Sequence, residues 1–320
     1  MADIQVPARA VPVPAHLSMQ AQVLLAMAAE LGAEPVPYPA RDDAAAWRAL
    51  VAESDAQALG LIEGVSSQYE VTSDRRDVAG IAVDVVDPAG SEADDRVLLD
   101  IHGGALIFMG GAVCTALTRM FAGRYRMRTW GPDYRMPPDH PYPAALDDCI
   151  AVYRALVEEV GADRVVVSGT SAGGNLAAAL VARARDESLP IPAALVLNTP
   201  EVDLTESGDT FHTNLGVDSV LRRLTEVNEL SADGHDLAHP YLSPLFADLT
   251  GFPPTLLTSG TRDLFLSNTV RMHRALRAAG IEAELHVLEA APHAAFMGMA
   301  PEDAEVDADI RAFIDRHCPA

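Results

Sequence analysis

Hydrophobic and polar positions recur along this chain with two periods, and the switches between them mark its elements. After a Pro/Ala-rich start over residues 1–14, apolar residues return at helical spacing in His16–Leu31, which Gly32 ends. They do so again in Arg41–Leu59, with Asp42 and Asp43 in its first turn. Short β-branched runs follow. Gln68–Thr72 and Ile81–Val86 have strand character, Asp87-Pro88-Ala89-Gly90 is a turn that Asp94-Asp95 extends, and Arg96–Ile101 reads as a buried strand. Strands and helices then take turns. Helices are expected over Val113–Gly123, Ala144–Val160, from Leu176 onward, over Ser267–Ala279 (stopped by Gly280) and over Glu302–Arg316. Strands are expected over Arg126–Trp130, Arg164–Val167, Ala193–Asn198, Pro254–Ser259 and Ile281–Leu288. Such alternation predicts an α/β protein with a mostly parallel sheet and helices on both faces.

One stretch, Glu201–Leu249, breaks this rhythm. It holds Ser207-Gly208-Asp209, a helix expected near Ser219–Asn228 and a polar loop over Ser231–His239. An excursion between two strands of such a sheet usually lies over its functional edge. There is no internal repeat.

Composition narrows the chemistry. The 320 residues are 49% hydrophobic, enough for a large core in one α/β domain or two smaller ones. The apolar run Val23–Ala29 is far too short to span a bilayer, and no basic stretch beyond Arg9 precedes it, so it is expected to be amphipathic helix. With 46 acidic and 23 basic residues the formal charge is −23, which argues against nucleic acid or an anionic membrane surface as partner. Every basic residue is arginine; there is no lysine. Schiff-base, Ser–Lys and P-loop chemistry are therefore excluded. Cys114, Cys149 and Cys318 have no paired spacing, as expected of buried thiols in a cytoplasmic protein. No His-x-Glu or H-E-x-x-H pattern occurs, so neither a metal nor another cofactor is expected.

The chemistry-bearing stretch is Gly169-Thr170-Ser171-Ala172-Gly173, a G-x-S-x-G between the strand Arg164–Val167 and the helix after it. A turn this tight strains its apex and crowds both neighbours. Glycines two positions either side relieve the crowding and leave the Ser171 hydroxyl exposed at the sheet edge, where the helix aims its N–H groups and dipole. Ser171 is the expected nucleophile. Upstream, His102-Gly103-Gly104-Ala105 follows the strand ending at Ile101, and glycines let a backbone present N–H groups inward. Gly103, Gly104 and Ala105 together with Ala172 are the expected oxyanion donors.

A serine nucleophile without lysine needs a histidine base and an acid, in the order Ser…Asp/Glu…His. Asp263 follows the strand Pro254–Ser259, and His293 lies in the loop after the last strand, at the same sheet edge. The rival histidines fit less well, since His286 lies in a strand, His273 on a helix and His317 at a helix end. Asp233, Asp236 and Glu289 are rival acids.

With these motifs in place, the chain resembles the bacterial hormone-sensitive-lipase-like esterases of the α/β-hydrolase superfamily, in the subgroup carrying Gly169-Thr170-Ser171-Ala172-Gly173-Gly174. His102-Gly103-Gly104, Asp133-Tyr134-Arg135, His140-Pro141, Asp147-Asp148 and Ser243-Pro244-Leu245 match as well, from about residue 66 onward. The resemblance implies an eight-stranded, mostly parallel sheet in a catalytic domain over 66–320. It implies a helical cap made of 1–65 and the excursion 201–249, and a structural role for Asp133–Asp148 beneath the oxyanion loop. It further implies a serine carboxylesterase, compatible with a homodimer. Two departures stand out: Ala105 where the family usually has glycine, and Ala290 and Ala291 in a loop that usually carries one. A lactone or amide hydrolase would use the same residues, and a non-catalytic ligand receptor is disfavoured because serine, acid and histidine are all available.

Bulky residues next to the reacting groups are expected to wall the substrate pocket: Leu106, Phe108 and Met109 after the oxyanion segment, Phe296 and Met297 after the histidine, and Leu215 from the cap. A closed apolar pocket suits small-molecule esters of short acyl chains, roughly two to eight carbons, since each buried CH₂ contributes about 0.8 kcal/mol until the pocket is full.

Overall fold

The computed structural model describes residues 4–31, 37–91 and 94–320. The N-terminal region contributes helices α1 (Met19–Leu31) and α2 (Ala44–Ser66). The sheet strands are β1 (Val71–Val78), β2 (Ile81–Pro88), β3 (Val97–Ile101), β4 (Arg128–Pro132), β5 (Val165–Thr170), β6 (Ala194–Asn198), β7 (Thr255–Gly260) and β8 (Ala283–Leu288). Between and after them run α3 (Ala112–Tyr125), α4 (Ala144–Val160), α5 (Ala172–Asp186), the short α6 (Thr210–Thr213), α7 (Thr225–Ala232), α8 (Leu266–Ala278) and α9 (Pro301–His317). The strand order is β1-β2-β4-β3-β5-β6-β7-β8; β1/β2 and β2/β4 pair antiparallel, and every other pairing is parallel. This is the eight-stranded α/β architecture that the resemblance implies.

The apolar runs explain the layering. Strand β3 is buried along its whole length, and the first five residues of β5 are buried, as befits central parallel strands covered on both faces. One face carries α4, α5 and α8, whose Tyr153, Leu180 and Leu276 pack on Val97, Leu99 and Val167. The opposite face carries α3 and α9, with Phe121 and Phe313 against Leu98 and Val166. No helix among the described residues is long and apolar enough to cross a membrane.

Three elements differ from the sequence reading. Strand β1 is Val71–Val78, not Gln68–Thr72; its Ser-Asp-Arg-Arg-Asp run is exposed and lacks the apolar alternation that marks a half-buried strand. It is an edge strand, and charges there block pairing with another sheet. Helix α2 continues beyond Leu59 through Gly60 and Gly64, because Ile62 and Val65 pack on α3 and that burial overrides the glycines' weak propensity. The helix expected near Ser219–Asn228 begins only at Thr225. Asp218 is the reason: its Oδ1 takes the N–H groups of Val220 (2.8 Å) and Leu221 (3.2 Å), holding that stretch in a turn. The expected helix end at Gly32 lies outside the described residues.

Ion pairs tie the elements together, and arginine or histidine supplies the cationic side in each. Arg124 holds Asp307 of α9 at 2.7 Å, and Arg96 holds Asp94 at 2.6 Å and Asp315 at 2.8 Å. Burial and the Asp94 carboxylate act in opposite directions on Arg96; the hydrogen bond wins and raises its pKa, while Asp94 is lowered.

Candidate active site

The site lies at the C-terminal edge of the parallel strands. Ser171 occupies the turn from β5 into α5 with φ +60 and ψ −122, a strained conformation for a residue with a side chain. The turn is pinned from below, since the Ser171 N–H donates to Asn198 O at 2.8 Å. Glycine is required either side: a Cβ on Gly169 would strike the Gly173 carbonyl, and one on Gly173 would strike the Ile101 carbonyl. Helix α5 begins at Ala172, so its first N–H groups have no intrahelical partner and face the same edge.

The oxyanion loop lies directly against this elbow. A Cβ on Gly103 would stand 2.8 Å from Thr170 O and 3.4 Å from Ser171 Cβ, which measures how closely the two backbones approach. Gly104 has φ +113, Ala105 φ +51 and Leu106 φ +63. The Gly104 carbonyl accepts from the Ile107 and Phe108 N–H groups, whereas the N–H groups of Gly104 and Ala105 donate to no acceptor among the described residues. Alanine at 105 thus keeps the left-handed turn that glycine would adopt without strain. His102 is locked beneath: its ring stacks on Tyr134 at 4.1 Å, its Nδ1 donates to Gly103 O at 2.7 Å, and the Tyr134 hydroxyl donates to the His102 carbonyl at 2.8 Å. Burial lowers the His102 pKa to about 4, so the ring is neutral. Asp133 accepts from Gly111 N–H, and Asp148 grips Arg135 through both carboxylate oxygens.

Asp263 follows β7 and is fully buried. Its Oδ1 accepts from the Phe265 N–H (2.9 Å) and from His293 Nδ1 (3.0 Å), and its Oδ2 accepts from Ser259 Oγ (2.7 Å). With Nδ1 as donor, Nε2 is left as the free base face of His293. Phe265 meets the ring edge-on at 4.9 Å. The histidine loop is bonded to the acid loop by Arg262 N–H to Ala291 O and Ala290 N–H to Thr261 Oγ1. Ala290, Ala294, Ala295 and Met297 all have positive φ, so alanine takes left-handed turns here, and the loop's one glycine, Gly298 (φ +79), comes only later. Ser171 and His293 share the sheet edge, but no hydrogen bond joins the serine hydroxyl to the ring among the described residues; such bonds are often long before substrate binds.

The rivals are placed elsewhere. Asp233 pairs with Arg41 at 3.4 Å on the surface, Asp236 caps a turn at Ala238, and Glu289 is exposed. His286 sits between Glu284 and Asp309, His273 meets the Ala283 carbonyl, and His317 lies beside Glu282. Would-be ligand atoms converge at His102, Cys114 and Asp133 and at Glu282, Glu284 and His317. In the first group Asp133 is already held by Arg75, and Cys114 donates to Pro132 O; the second is mainly surface carboxylate.

A residue missed in the sequence holds both loops. Asp218, on the second cap segment and buried, accepts from the Leu264 N–H at 2.7 Å and from the His293 N–H at 3.5 Å. Burial raises its pKa, while His293 nearby lowers it. Its only local signal is the short turn it caps; the partners 46 and 75 residues away leave no trace in the pattern.

The six residues expected to wall the pocket fall into different clusters. Leu106 points into the main core with Tyr134 and Leu176, Met109 packs toward α3, and Phe296 lies under α1 with Leu17 and Leu25. Leu215 is 46% exposed, and Met297 joins no buried apolar cluster among the described residues. Phe108 packs on the 201–249 excursion, where it joins Ala105 and Ile107 in a cluster with Trp47, Phe211, Leu224 and Val227. Left-handed turns at Ala105, Leu106 and Met109 scatter neighbouring side chains to different faces, which adjacency in sequence cannot show.

Comparison with known proteins is consistent with this geometry. A family profile described as alpha/beta hydrolase fold matches residues 98–297. An esterase of Acinetobacter venetianus is 32% identical over 191 residues, 58% of this chain and 63% of that protein. An acetyl-hydrolase of Streptomyces hygroscopicus is 33% identical over 190 residues, again 58% of this chain and 64% of the relative. These matches thus span somewhat under two thirds of either relative. The crystal structure of an esterase superposes with a TM-score of 0.91 at 34% identity and covers 99% of both chains. Another, of an esterase from the bacterial hormone-sensitive lipase family, gives 0.79 at 28% identity over 94% of this chain and 99% of its own.

Proposed function

The chain belongs to the α/β-hydrolase family, in its bacterial hormone-sensitive-lipase-like branch, and on that premise we propose that it is a serine carboxylic-ester hydrolase acting on short-chain esters through an acyl-enzyme. The observation that carries this is the strained Ser171 at the head of α5, with the loop bearing the unbonded N–H groups of Gly104 and Ala105 packed against its elbow at Gly103. In this reading His293 Nε2 takes the Ser171 proton as Oγ attacks the ester carbon. Asp263, accepting from Nδ1–H, fixes the tautomer and stabilises the imidazolium. The N–H groups of Ala172, Gly104 and Ala105, with Gly103 giving the close approach, hold the oxyanion. The imidazolium then protonates the leaving alcohol, and water activated by the same ring hydrolyses the acyl-enzyme. The apolar cluster of Phe108, Phe211, Leu224 and Val227 beside the oxyanion loop supports a short acyl chain.

The test is kcat/KM for p-nitrophenyl esters of rising acyl length, below and above their solubility, for the wild type and Ser171→Ala. The expected result is a maximum at short chains, no jump at the solubility limit, and a loss of about 10⁴-fold or more in the folded variant. A maximum at palmitate would make it a lipase, and full turnover by Ser171→Ala would remove the serine from the mechanism.

A further inference from the structure

Glu201 opens the second cap segment three residues after β6, and its backbone is bolted to the nucleophile elbow. Its N–H donates to Ser171 O at 3.1 Å, and its carbonyl accepts from Asn175 Nδ2 at 2.7 Å. The side chain is fully buried, and neither carboxyl oxygen has a hydrogen-bond partner. Asn228 of α7 lies alongside, but its Nδ2 reaches Leu204 O at 3.3 Å and its Oδ1 is unpartnered as well.

The neighbouring acids Asp203 and Glu206 are fully engaged. Asp203 holds Arg271 together with Thr205 and Ser207, and Glu206 holds Arg223, Thr225 and the Leu224 N–H. Burial, with Asp203 and Glu206 nearby, raises Glu201 to about 8, against a lesser lowering by Asn228. A neutral carboxyl offers one donor and one acceptor, the same pair a hydroxyl presents in reverse. An orphaned carboxyl at a fully buried position is costly where an apolar side chain would pack freely, and it calls for a partner that arrives.

Resting on the reading of the chain as an ester hydrolase, we propose that Glu201 is a specificity-determining residue. Its carboxyl, placed between the Ser171 elbow and cap helix α7, hydrogen-bonds a hydroxyl carried by the substrate close to the scissile ester. The preferred substrates are then hydroxylated esters, and plain alkyl esters are the poorer ones.

Two matched pairs test this with the full chain: ethyl 3-hydroxybutyrate against ethyl butyrate, and 2-hydroxyethyl butyrate against propyl butyrate. They are compared in the wild type, Glu201→Leu and Glu201→Gln. The wild type should favour the hydroxylated member of at least one pair by about tenfold or more in kcat/KM. Glu201→Leu should abolish that ratio and melt no lower than the wild type, and Glu201→Gln should keep part of the ratio. A ratio near one in the wild type, or one unchanged by Glu201→Leu in both pairs, overturns the proposal. So does an equal loss on both members together with a lower melting temperature, which marks a purely structural group. Hydrolysis of plain esters in those cases leaves the ester-hydrolase reading standing, whereas no hydrolysis of any of the four removes both.

Discussion

Beneath Ser171 the central strands bury Val97, Leu99, Val165 and Val167 among Ala177, Leu180 and Leu195, an almost wholly apolar layer. Above it, the excursion 201–249 adds a set of polar contacts to its apolar ones. Glu206 takes Leu224 N–H at 2.6 Å and Arg223 at 3.1 Å, Asp218 bridges four N–H groups, and the Arg222 guanidinium lies 3.7 Å over the Tyr38 ring, which stacks on Trp47. The body is positioned by packing, which is non-directional and redundant. The excursion packs as well, through Phe211, Leu224 and Val227, but directional bonds also fix it over the strand ends, and each of these costs more to lose when buried. Substitutions in the body should therefore appear as lost stability, and those in the cap or at the strand ends as lost rate.

The sharpest test of that division is at a strand end. Asp263→Asn should lower kcat on the order of 10⁴-fold with the fold retained, because the amide disturbs the His293 tautomer. Kinetics with a melting curve on the same sample will show it, and a larger loss in Glu289→Gln would reassign the acid. A smaller effect is expected from the cap. Asp218→Asn removes one charge and one acceptor from beneath the Leu264 and His293 amides, and should reduce kcat by roughly 10–100-fold with KM little changed, as misplacement does. A change in KM alone would confine Asp218 to holding the cap.

The smallest effect is on stability. Burial raises Asp100 to about 7 and Glu201 to about 8. Between pH 5 and 8 the folded chain therefore retains protons that the unfolded chain has lost, and stability falls as pH rises through that window. Thermal melts should show the decline, and Glu201→Gln should make it shallower; a melting temperature that rises across the range would contradict the protonated carboxyls.

The sequence carried the local part of this structure well. Gly169 and Gly173 around Ser171, and the strand ends before Asp263 and His293, are signals written within a few residues of each group. Strand β1 was legible only in part because an edge strand needs no apolar alternation. The clusters that the expected wall residues join were not legible, because positive φ at Ala105 and Leu106 turns successive side chains apart. Asp218 was invisible for a different reason: its partners at 264 and 293 are brought to it only by the fold.

The reliance on arginine in the ion pairs between elements has a practical side. Activated esters such as p-nitrophenyl substrates acylate lysine amines without any catalyst, and that reaction blurs a count of acyl-enzyme. This chain has no lysine ε-amine to trap them, and guanidinium groups, protonated at any ordinary pH, are poor nucleophiles. An acyl adduct located on its side chains after a brief exposure to substrate can therefore be assigned against a quiet background.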